Sequence, residues 1–234
     1  MKYKHLFFDW DHTLWDFEKN SEMSLRNLYI NLGLQGLGLP SFEQFFEKYI
    51  TINDLKWDMY RAGTIDKQTL RETRFRETFE HFGVDSADVA WELELRYIQE
   101  TPYQNHLIEN AAEVLKELKA AGCVLHVITN GFHESQNIKF SESGLEPLFD
   151  LLLCSDQVGV NKPDPKIFRR ALQLSGADRK ESLMIGDNLI ADCVGAREQG
   201  IDQVFYNPSK VRHAEKVTYE ISDLKQLVPI ILHT

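Results

Sequence analysis

Two aspartates stand two residues apart in Phe8-Asp9-Trp10-Asp11-His12-Thr13, directly after the apolar run Leu6-Phe7-Phe8. On extended backbone such side chains point the same way, so both carboxylates can face one site. That suits a reaction in which one acid attacks or binds while the other moves a proton. A D-x-D pair alone carries little; Thr13 and the place after a buried run make it informative. Three more runs end in polar side chains. Val124 to Ile128 leads into Thr129-Asn130-Gly131, a hydroxyl followed by backbone N–H groups able to cradle an anion. Lys162 lies in Val158-Gly159-Val160-Asn161-Lys162-Pro163-Asp164-Pro165, before a proline-stiffened helix entry. Leu183-Met184-Ile185 leads into Gly186-Asp187-Asn188, with Asp192 further on. Singly, each has an ordinary explanation: a turn at Thr129-Asn130-Gly131, a solvated Lys162, a helix-capping Asp187. Four such ends in one chain point to a common site. Carboxylates without a Cys or His cluster suit a hard cation with oxygen ligands, Mg²⁺ ahead of Zn²⁺.

The elements that must position these residues are short. The runs Lys4–Phe8, Val124–Ile128, Leu151–Leu153, Leu183–Ile185 and Val204–Phe205 are strand-sized and continuously apolar, as expected of strands buried on both faces. Those after residue 105 alternate with helix-like stretches, a βαβ pattern that predicts an α/β fold with a parallel sheet. Between the first strand and the others, residues 18–104 read as helix throughout, with Ser21, Ser41, Asp66 and Ser86 as caps of four helices. The stripe Phe42, Phe45, Phe46, Tyr49 has helical spacing and reads as the core of this insert. Gly33 to Gly38 neither follows a buried strand nor matches G-x-G-x-x-G, and reads as a linker.

Composition sets the outer bounds. The 234 residues carry 26 Lys+Arg against 36 Asp+Glu, a net charge of -10 that argues against a long nucleic acid or an anionic membrane surface as partner. The 3 cysteines, Cys123, Cys154 and Cys193, are odd in number and far apart, which fits a reduced, cytoplasmic setting with small buried thiols. The apolar stretch near Met1 is too short for a signal peptide or a membrane span. Ser209 to Lys216, with Lys210, Arg212 and Lys216, reads as a solvated loop. A monomer is slightly favoured over an assembly.

The ordered set D-x-D-x-T, a strand ending in Thr, K-P-D-P and G-D-x-x-x-x-D resembles the haloacid dehalogenase-like hydrolase superfamily, across residues 6 to 192. The resemblance implies a Rossmann-like parallel-sheet core, residues 1–17 and 105–234, with an inserted all-helical cap, residues 18–104, and a cleft between the parts. It implies that Asp9 is the nucleophile on a phosphate monoester and that Asp11 is general acid, then general base. Mg²⁺ would be held by Asp9, the Asp11 carbonyl and Asp187, with Asp192 in support; Thr129, Asn130 and Lys162 would hold the phosphoryl oxygens. The segments Asp9 to Phe17 and Val160 to Pro165 are similar to a branch containing pyrimidine and house-cleaning 5'-nucleotidases, so a nucleoside monophosphate is the expected small phosphorylated partner. Trp15, Phe17, Trp57, Tyr60 and His133 are candidates to stack on its base. His12 departs from the superfamily's usual Gly. Sugar-phosphate hydrolysis and phosphomutation remain open, dehalogenation is disfavoured by Asp11, and a catalytically silent phospho-ligand binder is the rival of another class.

Overall fold

The computed structural model describes residues 1–233. The chain divides into two compact units, Met1–Phe17 with Asn105–Thr234, and Glu18–Gln104. The first is built on six parallel strands, β1 (His5–Phe8), β2 (Val124–Thr129), β3 (Phe149–Cys154), β4 (Ser182–Gly186), β5 (Asp202–Tyr206) and β6 (Tyr219–Ile221), in the order β3-β2-β1-β4-β5-β6. β1 pairs in register with β2 on one side and β4 on the other, His5 lying opposite both Val124 and Ser182. The strand order therefore reverses at β1, and the carboxyl ends there are where open α/β sheets bind ligands. Five of the strands match the apolar runs. β6 is short and carries Glu220, so no apolar run marks it.

Helices of the Glu18–Gln104 unit are α1 (Phe17–Asn31, its first residue in the other unit), α2 (Phe42–Arg61), α3 (Lys67–His81) and α4 (Ala87–Glu100). The Asp66 carboxylate accepts from Thr69 N at 2.7 Å and the Ser41 hydroxyl from Gln44 N at 3.5 Å, which satisfies otherwise unpaired first-turn donors. Ser21 is not a cap: α1 begins four residues earlier, and Ser21 is buried within it, 2.7 Å from the Tyr97 hydroxyl. Phe42, Phe45 and Tyr49 pack with Leu25, Phe75 and Tyr97 as a core of this unit's own. Gly33 and Gly38 flank a single 3₁₀ turn linking α1 to α2.

In the sheet unit α5 (Ala111–Ala120), α6 (His133–Glu142), α7 (Ser155–Val158), α8 (Pro165–Ser175), α9 (Gly195–Glu198) and α10 (Leu227–Leu232) connect and flank the strands, and a π-helical turn, Leu189–Val194, precedes α9. One core cluster joins Leu6, Phe8 and Trp15 to Leu115, Val127 and Leu227, and another joins Phe7 and Met184 to Ile167 and Phe168. Side chains alternate along β1, so the sheet is buried on both faces. No helix among the described residues is long and apolar enough to cross a membrane.

Two buried histidines lie within this sheet. The rings of His5 and His126 stack 5.4 Å apart with His5 Nδ1 3.1 Å from His126 Nε2, and Phe7 stacks on His126. Burial first, then His5, pushes His126 down from 6.5 to about 4; Asp150 opposes this and Lys119 adds to it. Burial and Lys4 lower His5 against Glu181 and Asp150. A histidine depressed in the folded state stabilises fully above its unfolded value and less as pH falls toward the folded one. Between pH 6.5 and 4 the protein should lose up to about 3 kcal/mol at His126. Thermal melts across that range should show His126→Leu losing less than the parent; equal slopes would refute this.

Candidate active site

Past β1 the ladder continues for one more bond, Asp9 N to Ile185 O at 2.8 Å, and then the chain turns sharply. Leu14 N and Trp15 N both donate to Trp10 O at 2.9 Å, and His12 N donates to Trp15 O. His12 takes φ 65 to close this turn, a left-handed conformation that glycine adopts most readily and that histidine tolerates better than branched residues. Trp10 points into the core against Phe140 and Phe149, which leaves Asp9 and Asp11 on the other side.

Lys162 is the hub of the site and is no surface charge: 1% of it is exposed. Its ammonium donates to Asp9 Oδ1 at 2.6 Å, Asp192 Oδ1 at 2.7 Å and Ile128 O at 2.7 Å, so its three hydrogens are all used. Burial works against the charge, but Asp192 and Asp9 hold the ammonium well above its ordinary value. Asn130 fixes the loop that delivers it: Asn130 Nδ2 donates to Lys162 O at 3.0 Å, and Lys162 N donates to Asn130 Oδ1 at 2.7 Å.

Thr13 ties the first strand end to the last. Its hydroxyl donates to Asp187 Oδ1 and accepts from Asp187 N, both at 3.1 Å. Asp192, fully buried, accepts from Lys162 on one oxygen and from Asn188 N at 3.0 Å on the other. A Cβ at Gly186 would collide with that Asp192 carboxylate, so the glycine is required by close approach. Asn188, not Asp187, caps the following turn, through Ala191 N at 2.8 Å. The carboxylates of Asp9, Asp187 and Asp192 offer oxygens within 4.8 Å of one another. Burial, against the pull of Lys162, pushes Asp9 up to about 6; burial and then Asp9 push Asp187 up to about 6; Asp192 is raised too, by burial first. Three acids around one ammonium leave a local surplus of negative charge.

Asp11 lies apart from this trio. Its Oδ1 accepts from Lys139 Nζ at 2.6 Å and its Oδ2 from Gln136 Nε2 at 2.7 Å, both on α6. Neither residue stands out in the sequence; the signal that could have found them is their i, i+3 spacing on the helix that follows Thr129-Asn130-Gly131. Thr129 is buried and its hydroxyl accepts from Gly131 N at 3.0 Å, so that N–H is not part of an open anion cradle.

The aromatic candidates divide. Trp15 is fully buried in the core, which removes it as a stacking surface. Phe17 is half-buried against the same cluster, 4.8 Å from the His12 ring. His133 opens α6, its N–H donating to Asp156 Oδ2 at 2.9 Å and its ring 3.0 Å from Asn137 Nδ2. Trp57 and Tyr60 are half-buried neighbours on α2 in the other unit, ring centroids 5.6 Å apart. All three thiols are buried, and burial raises each, Cys154 to about 12, as inert core cysteines require.

Residues 3–200 match the family model of haloacid dehalogenase-like hydrolases. The chain is 32% identical over 231 residues to the pyrimidine 5'-nucleotidase PynA of Streptococcus pneumoniae, covering 97% of this chain and 94% of that one. It is 28% identical over 234 residues to the pyrimidine 5'-nucleotidase YjjG of Escherichia coli, covering 99% of both. The magnesium-bound crystal structure of the putative HAD-hydrolase YfnB from Bacillus subtilis superposes with a TM-score of 0.88 at 27% identity, again over 99% of both chains. With the four strand ends in order on a parallel sheet and a family match over most of its length, the chain belongs to the haloacid dehalogenase-like hydrolases.

Proposed function

We propose that the protein is a Mg²⁺-dependent phosphate monoester hydrolase that works through an aspartyl-phosphate on Asp9, with a nucleoside 5'-monophosphate as substrate. The observation that carries this reading is the division of labour among the carboxylates: Asp9, Asp187 and Asp192 gathered around Lys162, and Asp11 held separately on α6. The trio fits Mg²⁺ by its chemistry, since every donor is a hard oxygen and the surplus negative charge calls for a cation. Asp9, Asp187 and the Asp11 carbonyl would hold the ion, with Asp192 steadying Lys162. Bound there, Mg²⁺ supplies neutralisation of the phosphoryl charge.

The remaining steps belong to the chain. An Asp9 oxygen attacks phosphorus and forms the Asp9–phosphate bond as the ester P–O bond breaks. The departing oxygen takes a proton from Asp11 and leaves as the alcohol. The Asp11 carboxylate then takes a proton from a water whose oxygen attacks phosphorus as the Asp9–phosphate bond breaks, releasing inorganic phosphate and the Asp9 carboxylate. Thr129, the Asn130 N–H and Lys162 stabilise the phosphoryl oxygens, Lys162 by exchanging one of its present acceptors for phosphate. A dehalogenase needs no proton donor for a halide, so the two side chains devoted to Asp11 favour a phosphate ester.

The nucleotide preference rests on the likeness to PynA and YjjG. Phosphate release from a panel of pyrimidine and purine nucleoside monophosphates and sugar phosphates, with Mg²⁺, tests it. Pyrimidine monophosphates should give the highest kcat/KM. A sugar phosphate turned over faster would refute the nucleotide preference, and transfer of phosphate to a sugar hydroxyl instead of water would make the enzyme a mutase.

A further inference from the structure

Gln136 and Lys139 stand one helical turn apart on α6 and give each oxygen of Asp11 one donor, at 2.7 and 2.6 Å. Both side chains are buried, 2% and 6% exposed. Two further observations mark this as a built arrangement. The Lys139 ammonium lies 3.9 Å from the centroid of the buried Trp15 ring and 5.5 Å from that of Phe17, so the aromatic loop that follows Asp11 fixes the cation that fixes Asp11. At Gly131 a Cβ would collide with the Gln136 amide, so the glycine after Asn130 gives Gln136 its passage to Asp11. Lys162 already serves Asp9 and Asp192, and Lys139 contacts neither of them in the hydrogen-bond network.

We infer that Lys139, with Gln136, is a positioning residue for Asp11: it sets the direction of the acid–base carboxyl and holds neither metal nor phosphate. The inference rests on the reading of Asp11 as acid and base. Two donors on two oxygens fix the plane of a carboxyl group, where one would leave it free to rotate. An acid acting on a departing oxygen must be within hydrogen-bond reach of it.

The test uses kcat/KM, which covers steps through departure of the leaving group, with two esters. p-Nitrophenyl phosphate needs no proton to lose its phenolate; a nucleoside 5'-monophosphate does. Lys139→Met should lower kcat/KM for the nucleotide by about 30-fold and for p-nitrophenyl phosphate by less than about 3-fold. Gln136→Leu should shift the same ratio less, and Lys139→Arg should recover most of the loss. In an Asp11→Asn background, Lys139→Met should cost nothing more. Equal losses on both esters, or an additive loss in the Asp11→Asn background, would overturn the inference and leave Lys139 a structural residue. If Asp11→Asn itself shows no leaving-group preference, the acid–base reading fails and the inference falls with it. Should Lys139→Met not fold, the ratios for Gln136→Leu and Lys139→Arg decide.

Discussion

Lys162→Met should destabilise the protein by about 4 kcal/mol, because removing one partner of a buried ion pair leaves uncompensated charge in a dry site. Here the ammonium serves two carboxylates at once, Asp9 at 2.6 Å and Asp192 at 2.7 Å, and a third, Asp187, lies close by. Methionine keeps most of the length of the side chain, so packing changes little and the effect reports charge. For a chain of this size the loss corresponds to a fall in Tm of about 10 °C. Activity should fall by at least about 100-fold, since Lys162 is one of the groups that would meet phosphoryl charge. Mg²⁺ should recover part of the lost stability, because a cation bound by the same acids relieves the same repulsion. A melt of Lys162→Met within about 2 °C of the parent would show that the buried carboxylates do not depend on the ammonium.

Asp9→Asn should abolish turnover, by at least about 10⁴-fold, while leaving the fold intact. An amide does not attack phosphorus as a carboxylate does, and no neighbour replaces it: Asp187 is tied to Thr13, Asp192 to Lys162 and Asn188, and Asp11 to α6. Stability should hold or rise. Burial pushes Asp9 up to about 6, so its ionised form is held at a cost near neutral pH, and a neutral side chain removes that cost. Lys162 keeps Asp192 and Ile128 O as acceptors. Circular dichroism and thermal melts alongside turnover separate the two effects. A variant that retains turnover would refute the nucleophile assignment, and one that unfolds would mean Asp9 holds the site together.

Much of this site is legible along the chain because it is written at strand ends. Continuous apolar runs gave away five strands, and Asp9, Thr129 and Asp187 stand at the ends of β1, β2 and β4, on one edge of the sheet by topology alone. Asp9 and Asp187 meet for that reason, and Lys162 and Asp192 reach them from the segments that follow α7 and β4. The division of the chain near residues 17 and 105 follows a change in pattern from strand runs to helix. What escapes the sequence is whatever depends on a side chain reaching across. That Lys162 belongs to the site is legible, but its burial between Asp9 and Asp192 is not, and Trp15, a candidate to stack on a base, is packed into the core by the turn after β1. Ser21 has the right chemistry for a cap, but α1 starts earlier at Phe17 and the hydroxyl instead bonds Tyr97. Gln136 and Lys139 share a face of their helix by their i, i+3 spacing, but the helix is of mixed polarity and the sequence does not say that this face turns toward Asp11, while β6 is too short and too polar to leave a trace. The glycines at 131 and 186 look like turn formers but are demanded by side chains that pass over them.

Turnover by this mechanism requires a covalent bond between Asp9 and phosphorus. Quenching the protein during turnover of a nucleoside monophosphate with Mg²⁺, then reducing any acyl phosphate with borohydride, converts a phosphorylated aspartate to homoserine that peptide mass spectrometry can locate. Homoserine at position 9, absent without substrate and absent in Asp9→Asn, is the expected result. Continued phosphate release with no homoserine at position 9, or with the modification at Asp11 instead, would contradict it.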